Sequence, residues 1–248
     1  MVRIPLLDRL TRWGSGRLRD IPLHQYWHDG HPPEEIARHV AAWQALPGFS
    51  HRLFDQHMAL AFVSRHAGPR VAACFRACAV PAMQSDLFRY VAIHARGGIY
   101  IDADNTPGPD SLLEFLRTVP AGLLCRRRNE TAEWFCNDAL FARRPGHPLF
   151  ARLIELACEN IEAREQDDVW SVTGPYLLNR LNKSPNEHLF QGLTFAWYDD
   201  EMRRFVSPVG KLAYKKGPQD WRVFKREGRS IYVQDGDQDP PEGGRSGA

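Results

Sequence analysis

The sequence predicts an α/β domain with a mostly parallel central sheet flanked by helices. Three observations predict it. Short apolar runs alternate with segments of helical period from residue 21 to about residue 182, the order that βαβ units produce. Proline and glycine punctuate the junctions: Pro32-Pro33, Pro47-Gly48, Gly68-Pro69 and Gly97-Gly98 each fall between two such runs. One apolar run, Ile99–Ile101, stops abruptly in Asp102-Ala103-Asp104-Asn105, and the carboxyl end of a strand is where open α/β sheets bind ligands.

The elements follow in order. Ile21–Trp27 (IPLHQYW) alternates and reads as the first strand. Pro33 with Glu34 and Glu35 opens a helix that carries Ile36, Val40 and Trp43 at helical spacing and ends before Pro47-Gly48. Ser50–Phe54 reads as a second strand, and Gln56 to about His66 as a helix that stops at Gly68-Pro69. Val71–Ala79 is apolar and helical. In Gln84–Arg96, Leu87, Val91 and Ala95 form an i, i+4, i+8 stripe, with Gly97-Gly98 as a left-handed cap. Ile99–Ile101 is then a buried strand. From about residue 182 to 234 the reading is strands and loops: Leu193–Tyr198, Arg204–Val206 and Ser230–Val233. Residues 1–20 interleave Arg3, Arg9, Arg12, Arg17 and Arg19 with Leu6, Leu7, Leu10 and Trp13, the pattern of a basic amphipathic segment suited to an anionic membrane surface. Residues 235–248 are Gly, Pro and Asp rich and read as a disordered tail. That leaves residues 21–234 as the folded domain.

Composition bounds the function. A chain of 248 residues, 43% hydrophobic and 25% charged, is globular rather than disordered or fibrous. Near-balance of 32 basic and 30 acidic residues argues against a nucleic-acid partner. No apolar run approaches the roughly 18 residues of a membrane span. The first residues are interrupted by Asp8, Arg9 and Arg12 and lack the apolar core of a secretory signal. Five cysteines without a CxxC pair point away from a disulfide framework or a structural zinc site. A cytoplasmic protein is expected, with residues 1–20 touching the inner membrane face.

The chemistry concentrates around the acidic strand end. In an extended segment Asp102 and Asp104 point the same way and can share one hard cation, magnesium or manganese, with substrate phosphates completing its shell. The bland alternative is a turn in which Asp and Asn cap neighbouring amides. Upstream, in Ser85-Asp86-Leu87-Phe88-Arg89-Tyr90, Asp86 and Arg89 share a helix face. They form either a surface ion pair or a carboxylate for sugar hydroxyls with an arginine for phosphate charge.

The stretch SDLFRYVAIHARGGIYIDADN resembles the DXD-containing sugar-binding region of glycosyltransferase family 32. That family has yeast mannosyltransferase, bacterial capsule-type and, more distantly, clostridial toxin relatives. IPLHQYWHDG is similar to its first strand, NDALFARRPGHPLF to a downstream strand, and VTGPYLL to its Thr-Gly-Pro helix start. The resemblance covers roughly residues 21–181. It implies a GT-A-like, Rossmann-like nucleotide-sugar-binding fold, a UDP- or GDP-linked sugar donor, Mn2+ or Mg2+, and transfer with retention of configuration. The acceptor is a glycan, a lipid-linked saccharide or a protein. Residue by residue, it implies base stacking on Trp27, which reads equally well as a core-strand tryptophan, donor-sugar contacts from Asp86 and Arg89, and a metal-diphosphate role for Asp102 and Asp104. Asn137 and Asp138 fall near the transferred sugar, and Tyr100 joins the donor-binding group. Asp104 and Asp138 are the candidate catalytic acids. Asp138 is the nearest candidate nucleophile for a double displacement, and front-face attack is the favoured route.

The sequence departs from the family near its C-terminus. LAYKKGPQDWR has Tyr214, Lys215 and Lys216 where a histidine is expected, which leaves a third metal ligand from that segment open. A lysine pair is by default solvated, although Lys215 or Lys216 could meet the diphosphate. Two rival functions share these residues. IDADNT also fits the opening motif of a HAD-like phosphohydrolase, with Asp235–Asp239 as distal acids; about 100 residues precede the DXD here, whereas it normally ends that fold's first strand. A non-catalytic nucleotide-sugar-binding module is the other. A calcium loop starting at Asp102 fails, since Pro107 stands where glycine is needed and Leu113 replaces the bidentate glutamate. His24, His28 and His31 read as structural or hydroxyl-binding rather than as zinc ligands.

Overall fold

The computed structural model describes residues 20–183, 185–210 and 212–234. Most of the basic N-terminal segment and the whole acidic tail lie outside the described residues, Asp235–Asp239 among them. In chain order the elements are β1 (Ile21–Tyr26), α1 (Glu34–Gln44), β2 (Phe49–Phe54), α2 (Gln56–Ala67), α3 (Pro69–Ala77), α4 (Pro81–Arg96), β3 (Gly98–Ile101), β4 (Asn105–Pro107), α5 (Leu112–Thr118), β5 (Gly122–Arg128), β6 (Glu133–Ala142), α6 (Pro148–Ala163), α7 (Val169–Val172), α8 (Tyr176–Leu181), β7 (Leu193–Trp197), β8 (Val206–Pro208) and α9 (Trp221–Glu227). Short 3-10 turns cover Glu187–Phe190, Met202–Arg204 and Ala213–Lys216. Among the described residues no helix is long and apolar enough to cross a membrane.

Six strands form the main sheet in the order β2-β1-β3-β6-β5-β7, and β4 and β8 form a separate antiparallel pair. β1 runs parallel to β2 and β3, and β5 parallel to β7. β6 runs antiparallel to both of its neighbours. The sheet is thus parallel, as expected, except for one reversed strand. Reversal follows from a short connection: β5 returns into β6 through a turn in which the Asn129 amide donates to the Ala132 carbonyl at 2.9 Å. A parallel crossover would need a dozen or more residues.

α4 organises one face of the sheet. Proline at its first position sets its start three residues before the predicted Gln84, because a proline there loses no hydrogen bond. Its residues from Met83 through Ile93 are all buried, so it is a central helix rather than a surface one. It packs with α2, α3 and α6 in the larger core, while Ile99 and Ile101 face a second core on the opposite side of the sheet. At its end Gly97 has φ 65° but ψ −156°, an extended exit rather than the predicted left-handed helical cap. Gly98 has φ +80°, and a Cβ there would meet the Pro22 carbonyl oxygen at 2.2 Å. Only glycine lets β3 approach β1 so closely.

The C-terminal third departs most from expectation. Arg204 ends a 3-10 turn, and the strand begins at Val206. A helix, α9, stands where loops were expected. Its signals are ordinary: Asp220 accepts from the Arg222 amide at the N-terminus, Lys225 and Arg226 lie in the last turn, and Gly228 follows in the left-handed region.

Candidate active site

The site forms where β3 and β6 end beside α4. Asp102 follows β3, and its amide donates to the Asp138 carbonyl at 2.9 Å, extending the pairing by one residue. The chain then turns: the Asn105 amide returns to the Asp102 carbonyl at 3.0 Å. The DXD is therefore a tight turn, not the extended segment assumed from spacing. Because β6 is antiparallel with Ile101 opposite Ala139, Asp138 and Asn137 come alongside it. Asp86 and Arg89 rise from α4, and Tyr214 and Lys215 arrive on the last 3-10 turn. Together these groups line one cavity of about 390 Å³.

Arg89 is its hub. It is 4% exposed. Nη2 lies 3.0 Å from Asp102 Oδ1 and 3.2 Å from Asp86 Oδ1, and also donates to Ser85 Oγ at 2.9 Å. Nε donates to the Ser85 carbonyl at 3.3 Å and Nη1 to the Asn137 carbonyl. The guanidinium also lies over the Tyr100 ring, 4.5 Å from its centroid. Every nitrogen is engaged, so Arg89 fixes two carboxylates, where the sequence reading gave it a donor contact. Asp86 accepts further from Asn137 Nδ2 at 2.8 Å and from Thr173 Oγ1 at 2.9 Å. Burial pushes its carboxyl upward, against Arg89 and both hydrogen bonds.

Asp102 is pushed up to about 8, first by burial, which outweighs Arg89, and then by Asp138, Asp104 and Asp86. A bound cation would oppose that rise. Asp104 Oδ2 accepts from Tyr214 Oη at 2.8 Å and pairs with Lys215 Nζ at 2.8 Å. Lys215 is thus an ion-pair partner, contrary to the solvated default; its turn is tied down by the Ala213 amide, which donates to Glu35 Oε1 at 3.0 Å. Asp138 Oδ2 pairs with Arg127 Nη2 at 2.9 Å, and burial raises its carboxyl too.

The remaining predicted residues divide. Trp27 lines the cavity, edge-on to Tyr214 with centroids 4.9 Å apart. Tyr100 does not line it: fully buried, it donates to Asp102 Oδ1 at 3.1 Å and shares a 2.6 Å hydrogen bond with Ser85. The predicted donor contact is corrected to a support for Asp102, because the alternation that points Tyr100 with Asp102 also tucks its ring under α4. His24 is structural, its Nε2–H donating to the Gly97 carbonyl at 3.1 Å. His28 lines the cavity and His31 is exposed beside Asp29. Sequence reasoning missed Arg127 and Thr173. Thr173 sat within the quoted Thr-Gly-Pro segment, whereas Arg126-Arg127-Arg128 carries no mark of which arginine turns inward.

The donor set fits a hard divalent cation. Asp102 Oδ1 and Asp104 Oδ2 are engaged, which leaves one oxygen of each carboxylate to a ligand. Magnesium and manganese accept one or two carboxylates plus substrate phosphates. Among the described residues there is no group of three or more His, Cys, Asp or Glu side chains placed to hold one ion.

The region that holds this turn has counterparts in known proteins. Residues 33–110 match the model of a glycosyltransferase sugar-binding region containing a DXD motif. That span holds Asp86, Arg89, Asp102 and Asp104. The chain is 24% identical over 200 residues to HOC1 of Saccharomyces cerevisiae, which carries a glycosyltransferase name, covering 73% of this chain and 50% of the relative. It is 23% identical over 212 residues to the initiation-specific alpha-1,6-mannosyltransferase of Schizosaccharomyces pombe, covering 73% and 49%. The chain therefore spans about half the length of these relatives. Among solved structures it resembles the PaToxG glycosyltransferase, with TM-score 0.49 and 14% identity over 87% of this chain and 89% of that one. It also resembles the ligand-free glycosyltransferase domain of the YGT toxin, with TM-score 0.47 and 9% identity over 73% and 80%. Residues 33–110 thus match the sugar-binding region of DXD-motif glycosyltransferases, and over 73% of its length the chain is similar to yeast glycosyltransferases of the family 32 type.

Proposed function

We propose that the chain moves a sugar from a nucleoside-diphosphate donor to a hydroxyl on a glycan acceptor, with a divalent cation at the DXD turn. One observation carries this reading: the matched region's two aspartates share a single cavity with a buried, multiply hydrogen-bonded carboxylate, Asp86. Asp102 and Asp104 would hold Mn2+ or Mg2+, which supplies a counter-charge for the departing diphosphate. Asp86, fixed by Arg89, Asn137 and Thr173, accepts hydrogen bonds from donor-sugar hydroxyls. Pre-set carboxylates of this kind orient the sugar without reorganisation when the bond breaks. Trp27, which lines the cavity but is buried in a small core with Ile36, Val40 and Leu212, is the candidate contact for the base end. Lys215 is the cation free to follow charge from Asp104 to the diphosphate. Asp138, paired with Arg127, is held beside the sugar, and front-face attack with retention is the favoured course. The same reading keeps the protein in the cytoplasm with residues 1–20 at the membrane face, which co-sedimentation with anionic and neutral vesicles tests.

The deciding experiment is a donor-hydrolysis and transfer screen with Mn2+ and with Mg2+, comparing UDP- and GDP-linked sugars on the native protein and on Asp104→Ala. Metal-dependent cleavage of at least one donor, reduced at least 100-fold by Asp104→Ala, is expected. A native protein that neither binds nor cleaves any donor overturns the proposal. Turnover of p-nitrophenyl phosphate lost in Asp102→Asn would point to the phosphohydrolase instead.

A further inference from the structure

The cavity has a second aromatic region that the donor does not account for. Trp134 from the start of β6, Trp170 from α7 and Trp221 from α9 all line it, and all three are only half-buried. Trp170 and Trp221 lie 6.0 Å apart between ring centroids. Trp170 also meets Tyr176 edge-on at 5.7 Å. Tyr176 is 45% exposed, one of two large exposed hydrophobic residues among those described, so the aromatic surface continues outward from the cavity wall. Three separate elements bring these rings to the same cavity, where Trp221 also packs against the larger core.

Their position relative to the proposed donor sugar is fixed. Thr173 follows directly after α7 and donates to Asp86 Oδ2 at 2.9 Å, while Tyr90 Oη donates to the Thr173 carbonyl at 2.8 Å. Trp170 is therefore anchored at the Asp86 end. Trp27 belongs to the other aromatic contact, with Tyr214 beside Asp104. Polar groups edge the aromatic wall: Arg222 lies over the Trp221 ring at 4.4 Å and pairs with the buried Asp220 at 3.0 Å. A pyranose presents an apolar C–H face and a rim of hydroxyls. Indole and phenol faces bordered by a carboxylate and a guanidinium match both parts.

We infer that Trp170 and Tyr176, with Trp221 behind them, form the acceptor subsite, a stacking wall for a neutral oligosaccharide whose terminal hydroxyl is delivered to the sugar held at Asp86. The inference rests on the transferase reading and commits it to a saccharide acceptor bound on this side of the cavity. No new covalent step is involved; the wall orients the attacking hydroxyl.

Calorimetric titration tests it on the full chain with two classes of probe: UDP and GDP with Mn2+, and a panel of manno-, gluco- and galacto-trisaccharides. Tyr176→Ala is the first variant because its ring is largely exposed, and Trp170→Ala the second, each checked for an unchanged thermal midpoint. At least one trisaccharide should bind the native protein and lose tenfold or more in affinity in both variants, with nucleotide affinity changed less than twofold. In transfer assays the acceptor KM should rise tenfold or more. Nucleotide affinity falling as far as saccharide affinity would make the wall a nucleobase platform and overturn the inference, as would saccharide binding that neither variant alters. A native protein that binds nucleotide and cleaves donor, but binds no trisaccharide, refutes the wall and leaves the transferase reading intact. Saccharide binding without donor cleavage in any condition does the reverse.

Discussion

Replacing Lys215 with methionine separates the cation already in the site from the one proposed to bind there. Lys215 Nζ and Asp104 Oδ2 are 2.8 Å apart, with side chains 27% and 18% exposed. At that distance and an effective dielectric of ~20, the gross attraction is about 6 kcal/mol. Most is offset by desolvation of both ions, and Asp104 keeps a hydrogen bond from Tyr214 at 2.8 Å. Exposed pairs are worth ~0–1 kcal/mol, whereas breaking a buried pair costs ~3–5, so a net of about 2 kcal/mol suits this half-buried one. A divalent cation that takes Asp104 must displace the ammonium and forfeit that energy. Lys215→Met should therefore lose about 2 kcal/mol of metal-free stability in urea unfolding. It should also bind Mn2+ without donor more tightly, by up to ~30-fold, since each 1.4 kcal/mol is tenfold. Lys215→Arg keeps the charge and should stay within a few-fold of native. Mn2+ affinity is read by the loss of free-ion paramagnetic signal, independently of turnover. A folded Lys215→Met protein whose Mn2+ affinity is equal to or weaker than native would refute the reasoning.

Other consequences follow from the same geometry. Arg89→Leu strips the shared partner from Asp86 and Asp102 and should cost about 3–5 kcal/mol in urea unfolding, as buried uncompensated carboxylates do; a loss under 1 kcal/mol would show that the hub carries little. Gly98→Ala forces a Cβ to within 2.2 Å of the Pro22 carbonyl oxygen at φ +80° and should cost about 3 kcal/mol or more, so a thermal midpoint within 2 °C of native would contradict the packing. Burial holds His24 down at about 4 against 6.5 for the free side chain, with Nε2–H donating to the Gly97 carbonyl. Between those values the unfolded chain binds the extra proton, so this stability is complete above pH 6.5 and is lost at roughly 1.4 kcal/mol per pH unit down to about pH 4. His51 is lowered to about 4 as well, so the test is a difference: the urea midpoint of His24→Gln should fall less than that of the native protein between pH 7 and pH 5.

What the sequence disclosed tracks how local the cause is. Helix starts and strand ends are set by prolines, caps and apolar runs a few residues long, which is why the first three strands and their helices fall where their signals lie. Asp102 and Asp104 stood out as acids at a strand end, and Asp86 because it shares a helix face with Arg89 three residues on. The reversed direction of β6 was less visible, since the composition of a buried strand is the same in either direction; the short Asn129 turn decides. Lys215 was misjudged for a tertiary reason. Its nearest acid in sequence, Asp220, pairs with Arg222 instead, and its partner lies 111 positions upstream, reached because Glu35 on α1 anchors its turn. Tyr100 erred in the opposite sense: the strand pattern placed it correctly, but the burial that α4 imposes denies it a ligand.

The distribution of charge explains why one half of the site is rigid and the other exchangeable. Four carboxylates, Asp86, Asp102, Asp104 and Asp138, crowd against three cations, Arg89, Arg127 and Lys215, and that crowding adds to burial in raising Asp102 to about 8. On the Asp86 side every partner is buried and belongs to α4, β6 or the residue after α7, so those contacts cannot be given up without opening the core. On the Asp104 side the partners sit half-exposed on one short 3-10 turn held to α1 by the Glu35 contact. A divalent ion and a diphosphate are strongly hydrated groups that must enter and leave on every cycle, whereas the sugar must meet a fixed set of hydrogen bonds. Loose contacts at Asp104 and locked ones at Asp86 are the division of labour such a reaction needs. On the proposed reading, a divalent cation therefore fits at the turn that can release its lysine, not at the helix that cannot release its arginine.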